Sequence, residues 1–224
     1  MCGRFTLATS PAQIAQLFDV RQVPEFEPRY NIAPTQDVPI CRVIDPNGGR
    51  RVDVLRWGLV PFWADDMKIG NRMINARSET ASSKPAYRAA FKRRRCLVPT
   101  TGFYEWRSED DGKQPYLFRR EDRAPFALAG MWERWSGEGA DGEVETFTIM
   151  TCDANELVAP VHKRMPVILD EQHFEFWLDP ANQDEDALDE LLGRYAGEGM
   201  EAIAVSREVN SPSNDRPDLI EPLE

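Results

Sequence analysis

Between residues 95 and 152 the sequence offers one strand-like run after another, at 95–99, 102–108, 114–120, 125–132 and 145–152, and this succession constrains the fold more than any other feature. The runs are rich in β-branched and aromatic residues and are parted by breaks of hairpin length such as Glu109-Asp110-Asp111-Gly112. Two further runs, 37–45 and 50–57, flank the turn signal Asp45-Pro46-Asn47-Gly48-Gly49, and another lies at 201–206. Strands that follow one another in this way, instead of alternating with helices, predict an α+β fold: a mainly antiparallel, curled or barrel-like sheet with surrounding helices. A helix is expected over 11–19, because Ser10-Pro11-Ala12-Gln13 supplies an N-cap, a first-turn proline and a capping-box glutamine before Ile14, Leu17 and Phe18. Others are expected near 81–92, 154–158, 170–178 and 184–195.

No internal repeat and no long linker divides the 224 residues, so a single domain over 1–224 is expected. The polar, proline-rich end, 211–224, reads as a loosely held tail. No stretch of about 18 apolar residues occurs. The start, MCGRFTLATS, has neither the basic nor the apolar region of a signal peptide, and a cytoplasmic location is expected. The net charge of −11 argues at first against nucleic acid. It is unevenly divided, however: residues 1–106 balance at +6 and residues 107–224 at −17. A basic half leaves room for a local anion site, and the acidic tracts 136–145 and 181–190 read as a surface loop and a solvated helix.

The cysteines, at 2, 41, 96 and 152, show no metal-ligand spacing, and the last three read as buried thiols. No glycine-rich phosphate loop, HExxH, DxD or zinc pattern appears, so neither a metal nor a nucleotide cofactor is expected. Cys2 differs. A small residue after the initiator Met normally leads to its removal, which would leave an α-amine and a thiol on adjacent carbons. The amine has a reference pKa of about 7.7–8.0 and the thiol about 8.5, so both are partly active near neutrality. An aldehyde would give a Schiff base with the amine, and the thiol could then close a thiazolidine. Alternatively, the amine could act as base for the thiol in a hydrolase with an N-terminal nucleophile.

Motifs along the chain narrow the choice. They are Met1-Cys2-Gly3-Arg4-Phe5, Arg29-Tyr30-Asn31-Ile32-Ala33-Pro34, Trp57-Gly58-Leu59-Val60-Pro61-Phe62-Trp63, Asn75-Ala76-Arg77-Ser78-Glu79, Arg95-Cys96-Leu97-Val98-Pro99, Gly102-Phe103-Tyr104-Glu105-Trp106 and Val161-His162-Lys163-Arg164-Met165-Pro166. In kind and order they resemble the SOS response-associated peptidase (SRAP) family, abasic-site processing proteins that crosslink to DNA. The likeness runs from residue 2 to about 210. It departs at Phe62, where a small polar residue is commoner, and at Thr100-Thr101.

The resemblance implies that Asn75, Glu105 and His162 surround Cys2 and handle the protons of sugar opening, imine formation and ring closure. Read alone, Glu105 could equally be a surface carboxylate on an alternating strand, Asn75 a turn residue and His162 a structural histidine. His173 reads as exposed helix. Arg4 and Arg77 are the best phosphate ligands, because a guanidinium fork matches phosphate oxygens, and Arg29 is a weaker one. The run Lys92-Arg93-Arg94-Arg95 reads as added attraction or as a solvated face. Trp57 reads as core, whereas Pro61, Phe62 and Trp63 are candidates to stack on bases or wedge a junction. The expected partner is single-stranded DNA containing abasic sites, bound by a monomer that joins the nucleoid when on DNA. Associated lyase activity, an autopeptidase that removes Met1, and a non-covalent DNA-binding module are the alternative readings.

Overall fold

The computed structural model describes residues 2–45, 48–137, 142–193 and 195–223. Two short strands, β1 (Phe5–Leu7) and β2 (Arg29–Ile32), flank helix α1 (Pro11–Phe18). Next come β3 (Asp37–Arg42), β4 (Arg51–Trp57), β5 (Asn75–Arg77), α2 (Ser78–Ala81) and α3 (Arg88–Arg93). The long strands β6 (Arg95–Thr100), β7 (Gly102–Glu109), β8 (Gly112–Arg120), β9 (Phe126–Trp135) and β10 (Val144–Asp153) follow. The chain ends with β11 (Arg164–Pro166), β12 (Ile168–Leu169), α4 (Phe174–Leu178), α5 (Glu185–Leu191) and β13 (Met200–Ala204).

Five strands close on themselves in the order β10, β4, β3, β6, β9 and back to β10, forming a barrel that leaves no free edge among its members. β5, β11 and β12 add to its rim. The pairings are antiparallel apart from β10 with β4 and β10 with β5. Leu55, Trp57, Leu128, Phe147 and Ile149 are buried on one face of its wall, and Leu97 and Met131 are buried on the other. Trp57 is fully enclosed, edge-on to Phe5 at 5.1 Å, and its indole nitrogen donates to Ile74 O at 2.9 Å. At Gly58 the backbone turns to a φ of +121°, and a Cβ there would lie 2.6 Å from Gly70 O, so only glycine fits.

A second, open sheet runs β13, β8, β7, β1, β2. Strand alternation gives it two apolar faces. Phe103 stacks on Phe118 at 5.2 Å and joins the main core with Phe5. On the opposite face Tyr104 and Leu117 pack with Val205, Val209 and Leu219 in a separate small cluster. The C-terminal segment covers that face. Leu223 N donates to Ala204 O at 2.9 Å, Arg119 donates to Ile220 O at 2.7 Å, and the Tyr104 hydroxyl donates to Leu219 O at 3.4 Å. The described part of the tail is thus tied down, unlike the loose end that its polar composition suggested, because Leu219 is buried and the carbonyls of Ser211, Asn214, Leu219 and Ile220 accept from side chains of β2, β7 and β8.

Other expectations fare variously. Ser10 and Gln13 form the capping box, and Ile14 and Phe18 are buried. The single helix expected over 81–92 is two short ones, α2 and α3, and 154–158 forms turns instead of a helix. Residues 46–47 of the expected turn and 138–141 of the first acidic tract lie outside the described residues.

Candidate functional site

Cys2 lies just ahead of β1, whose register, Phe5 with Phe103 and Thr6 with Gly102, brings the start of the chain alongside β7. Tyr104 N donates to Arg4 O at 3.0 Å and continues that pairing toward Cys2. Asn75 opens β5, which lies along β10 with Asn75 opposite Ile149. From there the Asn75 amide nitrogen donates to Cys2 O at 2.7 Å. The carbonyl can only accept, and this fixes the amide orientation. Asn75 Oδ1 is then buried with no hydrogen-bond partner among the described residues. A stranded buried acceptor costs about 1–3 kcal/mol. Tyr87, whose hydroxyl donates to Asn75 O at 3.2 Å, steadies the strand from behind.

Cys2 is fully buried, its Sγ 3.9 Å from Arg4 O. Burial pushes the thiol well above its ordinary pKa, and the Glu105 carboxylate pushes it further. At neutral pH this sulfur is a thiol, and any nucleophilic step at it would need a base. Glu105 is only 3% exposed, and burial raises its pKa while the charge of His162 works to lower it. A carboxyl group so placed can hold or release a proton nearer neutrality than a surface glutamate.

His162, in the turn before β11, puts Nδ1 3.8 Å from Glu105 Oε1. The same nitrogen lies 3.1 Å from Arg164 N and 2.9 Å from Arg164 O. An unprotonated Nδ1 accepts from the amide, and a protonated one donates to the carbonyl. The seat therefore serves both states of the ring without moving it. Arg164 is held by ion pairs with Glu79 and Asp153 and donates to Thr151 O at 2.6 Å. Arg164 lies within the motif at 161–166, and nothing in the sequence alone marks it as the residue that seats His162.

The proposed DNA-binding residues fall into two groups. Arg77, at the end of β5, is exposed, and its guanidinium has no hydrogen bond or ion pair among the described residues. Phe62 and Trp63 are 59% and 48% exposed, and Pro61 beside them is buried. Their loop is fastened next to the segment leading to Asn75, since Leu59 N donates to Met73 O at 3.2 Å. Arg4 and Arg29 are engaged elsewhere. Arg4 donates to Asn31 Oδ1 at 2.8 Å, Val209 O at 2.7 Å and Asn210 O at 3.2 Å. Arg29 pairs with Asp215 at 2.5 Å and with Gln36 at 2.6 Å.

Within the basic run, Arg95 is neither a solvated nor a DNA-facing group. It is fully buried, donates to five carbonyls including Trp177 O and Phe91 O, and burial pulls its pKa down to about 10. Arg94 pairs with the buried Glu133 at 2.6 Å.

The family model described as SOS response associated peptidase (SRAP) matches residues 1–212. The chain is 44% identical over 225 residues to the abasic site processing protein YoqW of Bacillus subtilis (strain 168), covering 99% of each. It is 32% identical to the abasic site processing protein HMCES of Gallus gallus, over all of this chain and 78% of that one. A crystal structure of a protein from Bacteroides thetaiotaomicron superimposes with a TM-score of 0.87 at 28% identity, covering 100% of both chains. No described helix is long and apolar enough to cross a membrane.

Proposed function

The chain belongs to the SOS response-associated peptidase family, and from that premise we propose that it captures abasic sites in single-stranded DNA as a covalent adduct on Cys2, protecting damaged DNA during repair. Relatives that cover almost its whole length are named for abasic-site processing, which supports a role at such sites. The observation that carries the finer reading is the convergence on Cys2 of Asn75, whose amide holds its carbonyl at 2.7 Å, and the buried Glu105 with His162 3.8 Å away. Such a substrate would place the protein in the cytoplasm, at the nucleoid when bound.

Once Met1 is removed, the Cys2 amine adds to the ring-opened sugar aldehyde and water leaves, giving an imine. The sulfur then bonds to the imine carbon, its proton passes to a base, and the ring nitrogen gains a proton. Aldehyde and aminothiol thus become a thiazolidine and one water. Glu105 supplies and recovers the protons at the sugar oxygen, the departing water and the thiol, with His162 as its exchange partner. The lone acceptor of Asn75 takes a hydrogen bond from the amine or a sugar hydroxyl. Arg77 meets a phosphate, and Phe62 and Trp63 stack on bases or wedge a junction.

The peptidase reading fits less well. Its oxyanion donor would be the Asn75 amide, which is engaged with the Cys2 carbonyl, and its nucleophile would be a thiolate that burial disfavours.

Intact mass spectrometry and a denaturing gel after incubation with abasic single-stranded DNA test the proposal together. Loss of Met1 and a heat-stable shifted band are the expected results. Amide turnover without a shift would favour the peptidase, and salt-sensitive binding with no covalent product would favour a plain binding module.

A further inference from the structure

We infer that the C-terminal segment 207–223 is a latch that holds the Cys2 and Glu105 strands in register, with Asn210 as its positioning residue. The inference rests on the proposed role of those strands, and it concerns a part of the chain to which that role assigns nothing. Asn210 touches both. Its backbone oxygen accepts from Arg4 at 3.2 Å, two residues after Cys2, and its side-chain oxygen accepts from the Trp106 indole at 2.7 Å, next to Glu105.

The rest of the segment makes this bridge stiff. Val209, fully buried, anchors the short helical turn Arg207–Asn210 in the cluster with Tyr104, Leu117, Val205 and Leu219. Asn31, also fully buried, directs its amide nitrogen at Val209 O, Ser211 O and Asn214 O, at 3.1, 3.0 and 2.7 Å. Asp215 accepts from Tyr30 N at 2.5 Å and Asn31 N at 3.1 Å while pairing with Arg29. Arg4 just ahead of β1, Arg29 and Asn31 of β2 and Trp106 of β7 all engage this one segment.

Strand alternation explains why such a clamp would matter to chemistry on the far side. Phe103 and Glu105 share the face turned to the main core, and Tyr104 and Trp106 share the face under the latch. Fixing the Trp106 ring fixes the rotation of β7 at this point, and that rotation sets where the Glu105 carboxyl sits. Asn210 touches no reacting atom, so it acts through Trp106 and Arg4.

The test compares the parent with Asn210→Ala, Trp106→Phe and the double variant. The readouts are single-turnover crosslinking to abasic single-stranded DNA, titration of the Glu105 carboxyl by carbon NMR, and thermal unfolding. Either single change should slow crosslinking roughly ten-fold, short of the roughly hundred-fold cost of a full 1 Å misplacement. Each should also move the Glu105 titration toward that of an ordinary glutamate, with unfolding almost unchanged, and the double variant should be no slower than the slower single one. An unchanged Glu105 titration in Asn210→Ala, or losses that simply multiply in the double variant, would overturn the latch. Should the parent itself form no crosslink, that result counts against the proposed function. The Glu105 titration, which needs no DNA, then decides the latch alone.

Discussion

The closed barrel and the seam where β1, β5 and β11 meet β7 are built on opposite terms. Barrel strands run six to ten residues, pair on both sides and bury an apolar face along their length. At the seam β1, β5 and β11 have three residues each, and the groups they present are a thiol, an amide and, just before β11, an imidazole. The barrel gains its stability from area removed from water. The seam spends some of it by burying Glu105 and leaving Asn75 Oδ1 without a partner. Stability and chemistry are thus separable here, and substitutions should tell them apart.

Glu105→Gln offers the largest contrast. Gln keeps the shape and loses the titrating proton, so single-turnover crosslinking should slow by about 10²–10⁴-fold. Stability should move the other way. Burial raises the folded-state pKa of Glu105, so its ionisation works against folding as pH climbs above the ordinary 4.5 and through the raised value. Parent and variant should unfold alike below that window, with the variant the more stable above it. A parental rate together with a parental pH profile would remove Glu105 from the chemistry.

Trp57→Ala should do the reverse, costing about 3–5 kcal/mol of stability by opening a cavity in the barrel. Crosslinking per folded molecule should stay near the parental rate. A rate loss beyond the unfolded fraction would mean that the barrel core also shapes the site.

The smallest effect separates two arginines that look alike in sequence. Arg77→Ala should reduce the salt dependence of DNA binding by about 0.7 in logarithmic slope and leave unfolding unchanged. Arg4→Ala should lose roughly 1.5–3 kcal/mol of stability through its hydrogen bonds to the tail, with little change in slope. Swapped outcomes would return Arg4 to the phosphate-binding set.

The long strands and α1 were legible because their periodicity and caps are local. β1, β2, β5 and β11 were not, since three or four residues show no period, and each is defined by a partner far along the chain. The four residues that converge at the site were reached through motif resemblance; no local pattern unites positions 2, 75, 105 and 162. The carbonyls that Arg4 bonds, those of Val209 and Asn210, lie some 205 residues away, and no local pattern announces them. The same distance hid the anchoring of the tail. Arg95 stands in a run of cations that reads as surface, and three of the five carbonyls that enclose it come from residues 177–182, far along the chain.

The burial of Cys2 also sets an order of events during synthesis. The start of this chain leaves the ribosome first, yet Asn75, the β7 register partner and the Val209 acceptor are translated successively later. At about 5–20 residues per second, Arg4 waits roughly 10–40 s for Val209 to be made. During that interval Cys2 and its neighbours are open to solution, and afterwards folding buries Cys2. If the proposed chemistry at Cys2 holds, trimming and folding compete for one short stretch of chain, and the long sequence separation between Arg4 and Val209 gives trimming its head start.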